Sequence, residues 1–256
     1  MIYGYLYQGS GVGNQLHRYI ATRIKALELG VDWRMIYVPD NSGKVPYFKG
    51  KDFIKLEEDK IIGEAPKHLK TWNEKKVVEN GVDVRSYDPE FNFIEDNTII
   101  DGEFQDERYF EHRLGEMNKW LGVEPLHVPN DVCIIGFRGG EYALYPDLFL
   151  PIKYWTDAVD RMLKIDPNMK FRVVTDDPEL AKSIFPFEVT HEIGMDWRQC
   201  RYAKYAIIAN SSFYILPRLL RHYEGGAITI APRGWARRNT KTWSLPQNYY
   251  RAFTYI

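Results

Sequence analysis

Apolar positions along the chain open with a strand-like run at residues 2–7, followed by a glycine-rich turn at 8–13 and a helix at 14–29. In that helix Leu16, Ile20, Ile24 and Leu27 recur at helical intervals until Gly30 ends the pattern. Strand, turn and helix make a βα unit. Between residues 39 and 97 the periodicity weakens into charges, glycines and short aromatic pieces, which predicts a loop-rich stretch carrying inserted surface structure. Order returns with a strand at 98–102 and a helix at 106–121 whose Phe110, Leu114, Met117 and Leu121 share a face. Segment 123–130 has two prolines and no periodicity, so it is the best linker, and two domains are expected, 1–128 and 129–256.

Beyond the linker, strands are predicted at 132–137, 171–175, 206–209 and 227–231, and helices at 152–165, 178–185, 197–205 and 212–223. Such alternation argues for an α/β fold with a parallel sheet covered on both faces. Pro217 falls inside the last helix and is expected to kink or restart it.

Composition narrows the function classes. With 256 residues and 45% apolar content the chain can build real cores, and a formal charge of -1 supplies no field to attract a polyphosphate backbone or an anionic membrane. Nucleic acid is therefore not an expected partner. Cys133 and Cys200 are the only cysteines, which suits a reducing compartment and excludes a disulfide scaffold or a cysteine-built zinc site. No apolar run reaches roughly 18 residues and no basic-then-apolar leader opens the chain, so no transmembrane segment is expected. The expected location is cytoplasmic, at most peripheral to a membrane.

Candidate chemistry gathers where predicted strands end. Gly136-Phe137-Arg138-Gly139-Gly140-Glu141-Tyr142 follows a strand and places Arg138 where ligands of open α/β sheets bind; its guanidinium can grip two phosphate oxygens, or it can be a solvated exit from the strand. Val173-Val174-Thr175-Asp176-Asp177-Pro178 ends a second strand. Asp177 before Pro178 suits a helix cap, and Asp176 suits a contact to a nucleobase edge or ribose hydroxyls, with a metal-binding aspartate pair as the competing idea. Asn210-Ser211-Ser212 ends a third strand and can cap the next helix, hold phosphate, or both. At the N-terminus, Gly9-Ser10-Gly11-Val12-Gly13-Asn14 leads into a helix as a tight turn or a phosphate cradle. His17 and the basic segment Arg233, Arg237, Arg238 and Lys241 read as structural or solvated, and Glu141 and Asp147 are the carboxylates nearest Arg138.

These residues also resemble a family. Gly11-Val12-Gly13-Asn14-Gln15-Leu16 is similar to the G-x-x-G-N-Q-type signature of the α-1,2-fucosyltransferase family within the GDP-fucose-dependent superfamily. Asp101-Gly102-Glu103-Phe104-Gln105-Asp106-Glu107-Arg108-Tyr109-Phe110 resembles its D-G-Y-x-Q-S-E-x-Y-F segment, and the heptapeptide at Gly136 stands where its H-x-R-R-x-D-Y motif belongs. Thr175-Asp176-Asp177, Ile208-Ala209-Asn210-Ser211-Ser212-Phe213 and Ile230-Ala231-Pro232-Arg233-Gly234-Trp235 resemble S-D-D, I-A-N-S-S-F and I-A-P-x-x-W in the same order.

The resemblance implies a GT-B-like α/β fold, two Rossmann-like domains facing across a cleft, with an acceptor-side N-terminal domain and a nucleotide-sugar-binding C-terminal one. It implies an inverting, metal-independent transfer of fucose from GDP-fucose to a glycan hydroxyl, with no cofactor. Arg138 would grip the β-phosphate, Asp176 and Asp177 would contact guanosine, Asn210, Ser211 and Ser212 would lie against phosphate, and Gly11, Gly13 and Asn14 would form the opposite wall. Glu141, or else Asp147, would be the base. Gly136, Gly139 and Glu141 replace the family's histidine, second arginine and aspartate. Those departures imply a lost base or ribose contact and less charge on the leaving diphosphate, and they keep open another nucleotide-sugar donor or a silent nucleotide- or glycan-binding protein.

Overall fold

The computed structural model describes residues 1–39, 48–79, 82–84, 86–236, 243 and 249–256. The chain divides into two compact units, Met1–Val78 with Asp83–Val123, and Glu124–Ile256 with the short stretch Glu79–Val82. Each is built on a parallel sheet, so the fold is the Rossmann-like α/β class anticipated from the alternation of elements.

The first unit opens with β1 (Ile2–Tyr7), α1 (Val12–Leu29) and β2 (Trp33–Val38). It continues with β3 (Ile61–Ile62), β4 (Lys70–Asn73), β5 (Val77–Glu79), β6 (Val82–Val84), β7 (Thr98–Asp101) and α2 (Leu114–Trp120). Among the described residues five strands pair in the order β3-β2-β1-β7-β4, and β5 pairs with β6 apart from them. Leu16, Ile20 and Ile24 of α1 are fully buried as their spacing predicts, whereas Leu27, the fourth of the predicted stripe, is exposed near the end of the helix. At its end Gly30 adopts φ 65°, and the Gly30 and Val31 N–H groups return to the Leu27 and Ala26 carbonyls.

Three differences from the pattern are instructive. Trp33–Val38, which the periodicity passes over, is the parallel neighbour of β1 along its whole length. Within the stretch expected to be loop, Lys70–Asn73 is an edge strand paired with β7; of its four side chains three are exposed and polar and only Trp72 is half-buried, too short a run to carry an alternating signal. The helix expected at 106–121 shrinks to α2, preceded by short 3-10 turns at Glu107–Tyr109 and Glu111–Arg113. Tyr109 and Phe110 are both fully buried, and the backbone breaks at Phe110 (φ -146°, ψ -8°).

The second unit comprises β8 (Val132–Phe137), α3 (Ile152–Ile165), β9 (Lys170–Thr175), α4 (Pro178–Ile184), β10 (Glu188–Thr190), α5 (Ile193–Tyr202) and β11 (Tyr205–Ile208). It ends with α6 (Ser212–Tyr223), β12 (Ile228–Ala231) and β13 (Thr254–Tyr255). The strands lie in the order β10-β9-β8-β11-β12-β13, with parallel pairing throughout. Every residue of β8 is buried, as a central strand covered on both faces requires. Pro217 does not restart α6: the helix continues through it, with Tyr214, Ile215, Leu216, Leu219 and Leu220 buried on both sides of it. Their burial outweighs the one helical hydrogen bond that proline removes.

A fully buried guanidinium locks α6 in place. Arg218 donates to the carbonyls of Cys200 at 2.8 Å and Ala203 at 2.7 Å at the end of α5, and to Thr229 Oγ1 at 2.9 Å on β12. Burial lowers its pKa to about 10. It stays protonated at neutral pH and supplies the helix-end carbonyls that have no other partner in the helix. Among the described residues no helix is long and apolar enough to cross a membrane.

Two outcomes follow from these buried groups. Arg218→Met should destabilise the second unit by about 3 kcal/mol or more, since several buried acceptors lose their donor; the shift of the denaturant midpoint measures it. His17 is fully buried, with Nδ1–H donating to the Gly13 carbonyl at 2.7 Å, and burial lowers its pKa to about 4. Because the folded value lies below the unfolded one of roughly 6.5, its contribution is complete above that pH and is lost as pH falls toward 4, by about 3 kcal/mol at most. Unfolding midpoints at pH 7 and pH 4.5 should therefore converge more closely in His17→Gln than in the wild type; equal slopes would refute a neutral, buried imidazole.

Candidate functional site

Counted along the second unit, its sheet has the strand order 3-2-1-4-5-6. From β8 the chain first builds outward through β9 and β10, then returns to place β11 on the other side of β8. Connections leaving these two neighbours run to opposite faces of the sheet, which opens a crevice beyond their carboxyl ends. Arg138 follows β8, and Asn210 and Ser211 follow β11, with Gly136 and Ile208 in register across the pair. Asp176 follows β9, the neighbour of β8 on the other side.

Two carboxylates hold the Arg138 guanidinium. Nη1 pairs with Asp176 Oδ2 and Nη2 with Glu141 Oε1 at 3.1 Å, while the Tyr142 ring lies 5.1 Å below it. The other Asp176 oxygen accepts from the Gly139 N–H at 2.9 Å. The Asp176 carboxylate thus clasps the first turn after β8. The glycines of that turn make the clasp sterically possible. Gly140 sits at φ 40°, and a Cβ there would collide with Asp176 Oδ2; a Cβ on Gly139 would come within 2.6 Å of Asp177 Cβ.

The two aspartates diverge. Asp177 accepts from the Leu180 N–H at 3.1 Å and caps α4, ahead of Pro178 at the start of the helix. Among the described residues no group of three His, Cys, Asp or Glu side chains is arranged to hold a metal ion.

Asn210 works as a staple. Its buried amide donates to the Leu148 carbonyl at 2.9 Å and the Trp235 carbonyl at 2.6 Å, tying the loops after β8 and β12 to the end of β11. Ser211 occupies the N-cap position of α6, its side chain makes no capping hydrogen bond, and the first turn holds no acidic residue. The positive end of the helix dipole lies at this strand end. Asp147 lies in the turn in which the Leu148 and Phe149 N–H groups bond the Tyr145 carbonyl.

Gly136 has a packing reason of its own. A Cβ at this position would approach the Tyr214 ring to 2.7 Å, and the Tyr214 hydroxyl donates to the Phe137 carbonyl at 2.9 Å. A histidine has no room here, because an α6 tyrosine fills the space.

In the first unit, Gly11 is the N-cap of α1, again with no side-chain cap, and Gly13 lies buried in its first turn. Asn14 Oδ1 accepts from Gln105 Nε2 at 2.8 Å. Beside them is a cluster that sequence reasoning assigned no role. Arg18 is buried between Asp101 at 2.8 Å and Glu103 at 2.7 Å and lies over the Tyr7 ring, whose hydroxyl donates to Asp101. Burial and then the Asp101 charge push the Tyr7 hydroxyl up to about 12. The signal was the segment from Asp101 to Phe110, whose acidic positions become legible only once α1 brings Arg18 to them. Of the basic tail segment, Arg233 follows β12, and Arg237, Arg238 and Lys241 lie outside the described residues.

No protein-family model matches the sequence, and no curated protein matches it. Solved structures do. The dodecameric iron-containing heptosyltransferase TibC in complex with ADP-D-β-D-heptose superposes with a TM-score of 0.50 at 12% identity, covering 99% of this chain and 61% of that one; TibC is also solved from enterotoxigenic E. coli H10407. The chain therefore spans about 61% of the length of TibC. POFUT1 in complex with GDP-fucose gives a TM-score of 0.49 at 8% identity, covering 88% of this chain and 95% of that one. The α-1,6-fucosyltransferase NodZ soaked with GDP-fucose gives 0.45 at 12%, covering 85% and 92%. What this chain shares with TibC is the fold, a GT-B-like pair of parallel α/β units.

The packing around Gly136 makes a sharp test. Gly136→His should not rebuild a nucleotide contact but should destabilise the second unit by about 3 kcal/mol, as overpacking of a tight core does. Thermal unfolding of Gly136→His with and without Tyr214→Ala checks this, the second change being expected to recover part of the loss.

Proposed function

We propose that this protein is a glycosyltransferase that draws its sugar from a nucleoside-diphosphate donor bound by the second unit. The observation that carries the reading is Arg138, pinned at the switch point of a 3-2-1-4-5-6 sheet, one strand end away from the N-terminus of α6. A guanidinium and a helix N-terminus on adjacent strand ends suit two linked phosphates.

The finer reading is fucose from GDP-fucose, passed to a glycan hydroxyl with inversion and without a bound metal. It is supported by the collinear motifs between Gly11 and Trp235 and by the divergence of Asp176 from Asp177. The acceptor oxygen bonds to the anomeric carbon as the bond to the β-phosphate oxygen breaks, and the nucleoside diphosphate leaves with the electron pair. Arg138, with the Ser211 and Ser212 backbone, stabilises its developing charge. The acceptor proton is lost late to Glu141, Asp147 or solvent, and Asp176 would also contact the nucleoside. The α1 terminus with Gly11, Gly13 and Asn14 is the matching phosphate-compatible feature of the first unit. Buried, free Cys133 and Cys200 fit a reducing cytoplasm.

A second donor is favoured by one observation: Tyr214 fills the place of the family's histidine, so the nucleobase can be other than guanine. Thermal shifts with GDP, UDP, ADP and TDP decide between them, since a ligand at about a hundred times its Kd stabilises by about 2.7 kcal/mol. Arg138→Ala should slow transfer from the matching nucleotide sugar by about 10²- to 10³-fold with the fold intact. An unchanged rate removes Arg138 from the mechanism, and binding without turnover by the wild type identifies a silent nucleotide-binding protein.

A further inference from the structure

Arg138 is not presented as a bare cation. One guanidinium carries one positive charge, and Asp176 and Glu141 bring two negative ones into contact with it. As it stands, this trio would repel a diphosphate, so something must leave before phosphate can take the arginine.

The two carboxylates are held very differently. Asp176 is bonded through both oxygens, to Arg138 and to the Gly139 N–H, and the glycine at 140 leaves the space it occupies. Glu141 touches Arg138 through one oxygen, its side chain is 65% exposed, and Arg138 and Asp176 are each 29% exposed. An exposed, single-contact pair of this kind holds weakly, and a diphosphate offers the same Nη2 edge more charge and more acceptors.

We infer that Glu141 is a displaceable counter-anion, occupying the phosphate position on Arg138 until a diphosphate replaces it, while Asp176 remains as the positioning residue that aims the guanidinium. This rests on the reading of Arg138 as the diphosphate grip. It gives Glu141 a part in setting donor affinity: any ligand must outcompete a tethered carboxylate, which favours diphosphates over singly charged anions.

Calorimetric titrations of the full chain with GDP, UDP, ADP, inorganic pyrophosphate and the matching nucleosides test it. Glu141→Gln should tighten binding of the preferred nucleoside diphosphate, and of pyrophosphate, by about threefold to tenfold and leave its nucleoside unchanged. Asp176→Asn should weaken pyrophosphate about tenfold or more; if that variant does not fold, Glu141→Gln decides alone. Unchanged or weaker diphosphate binding in Glu141→Gln overturns the counter-anion role while the glycosyltransferase reading stands. Asp176→Asn that weakens the nucleoside but not pyrophosphate overturns the positioning role. Wild-type protein that binds no diphosphate at all overturns the underlying reading and this inference together.

Discussion

A parallel sheet sends every strand end to the same edge, and where the chain reverses its order of addition the connections part to opposite faces. In the second unit that reversal falls between β8 and β11. The helices that follow these strands must cover opposite faces, so the edge between them stays open. Arg138, Asp176, Asn210 and the start of α6 are spread over 75 positions of sequence numbering, from 138 to 212, and meet at one edge because of that topology. The chemistry of the second unit depends on this constraint more than on any single residue.

Electrostatics then decides what the edge can do. The apparent aspartate pair at 176 and 177 is two different devices, one clasping Arg138 and the Gly139 N–H, the other capping α4. A carboxylate that fixes a guanidinium by one edge lowers the cost of holding it ready, since less side-chain freedom remains to be lost on binding. The glycines that stand in place of a histidine and an arginine look like losses in the motif. In the structure they are room, occupied by the Tyr214 ring at 136 and by the aspartates at 139 and 140.

Several polar residues hold the scaffold. Arg218 satisfies the carbonyls at the end of α5, and Asn210 fastens two loops to β11. Arg18 joins α1 to the segment after β7 through Asp101 and Glu103. Buried polar groups must be paired, and in a sheet with many strand-end loops the commonest unpaired groups are backbone carbonyls. Long donors such as arginine and asparagine reach them where no helix or strand can.

The sequence alone determined what depends on neighbours in the chain. The apolar run of β8, the helical spacing of α1, α3 and α6, and the helix-start signal at Asp177-Pro178 all follow from local periodicity and capping, and each stands where the pattern puts it to within a few residues. Tertiary structure decided what depends on distant groups. The edge strand at Lys70–Asn73 exists because β7 offers it hydrogen bonds, and the helix before Trp120 is broken at Phe110, a departure no local periodicity signals. Arg138 has its partner 38 residues away. Periodicity records which face of an element is buried; it carries no record of what waits there, because pairing and burial are settled only when the strand ends come together.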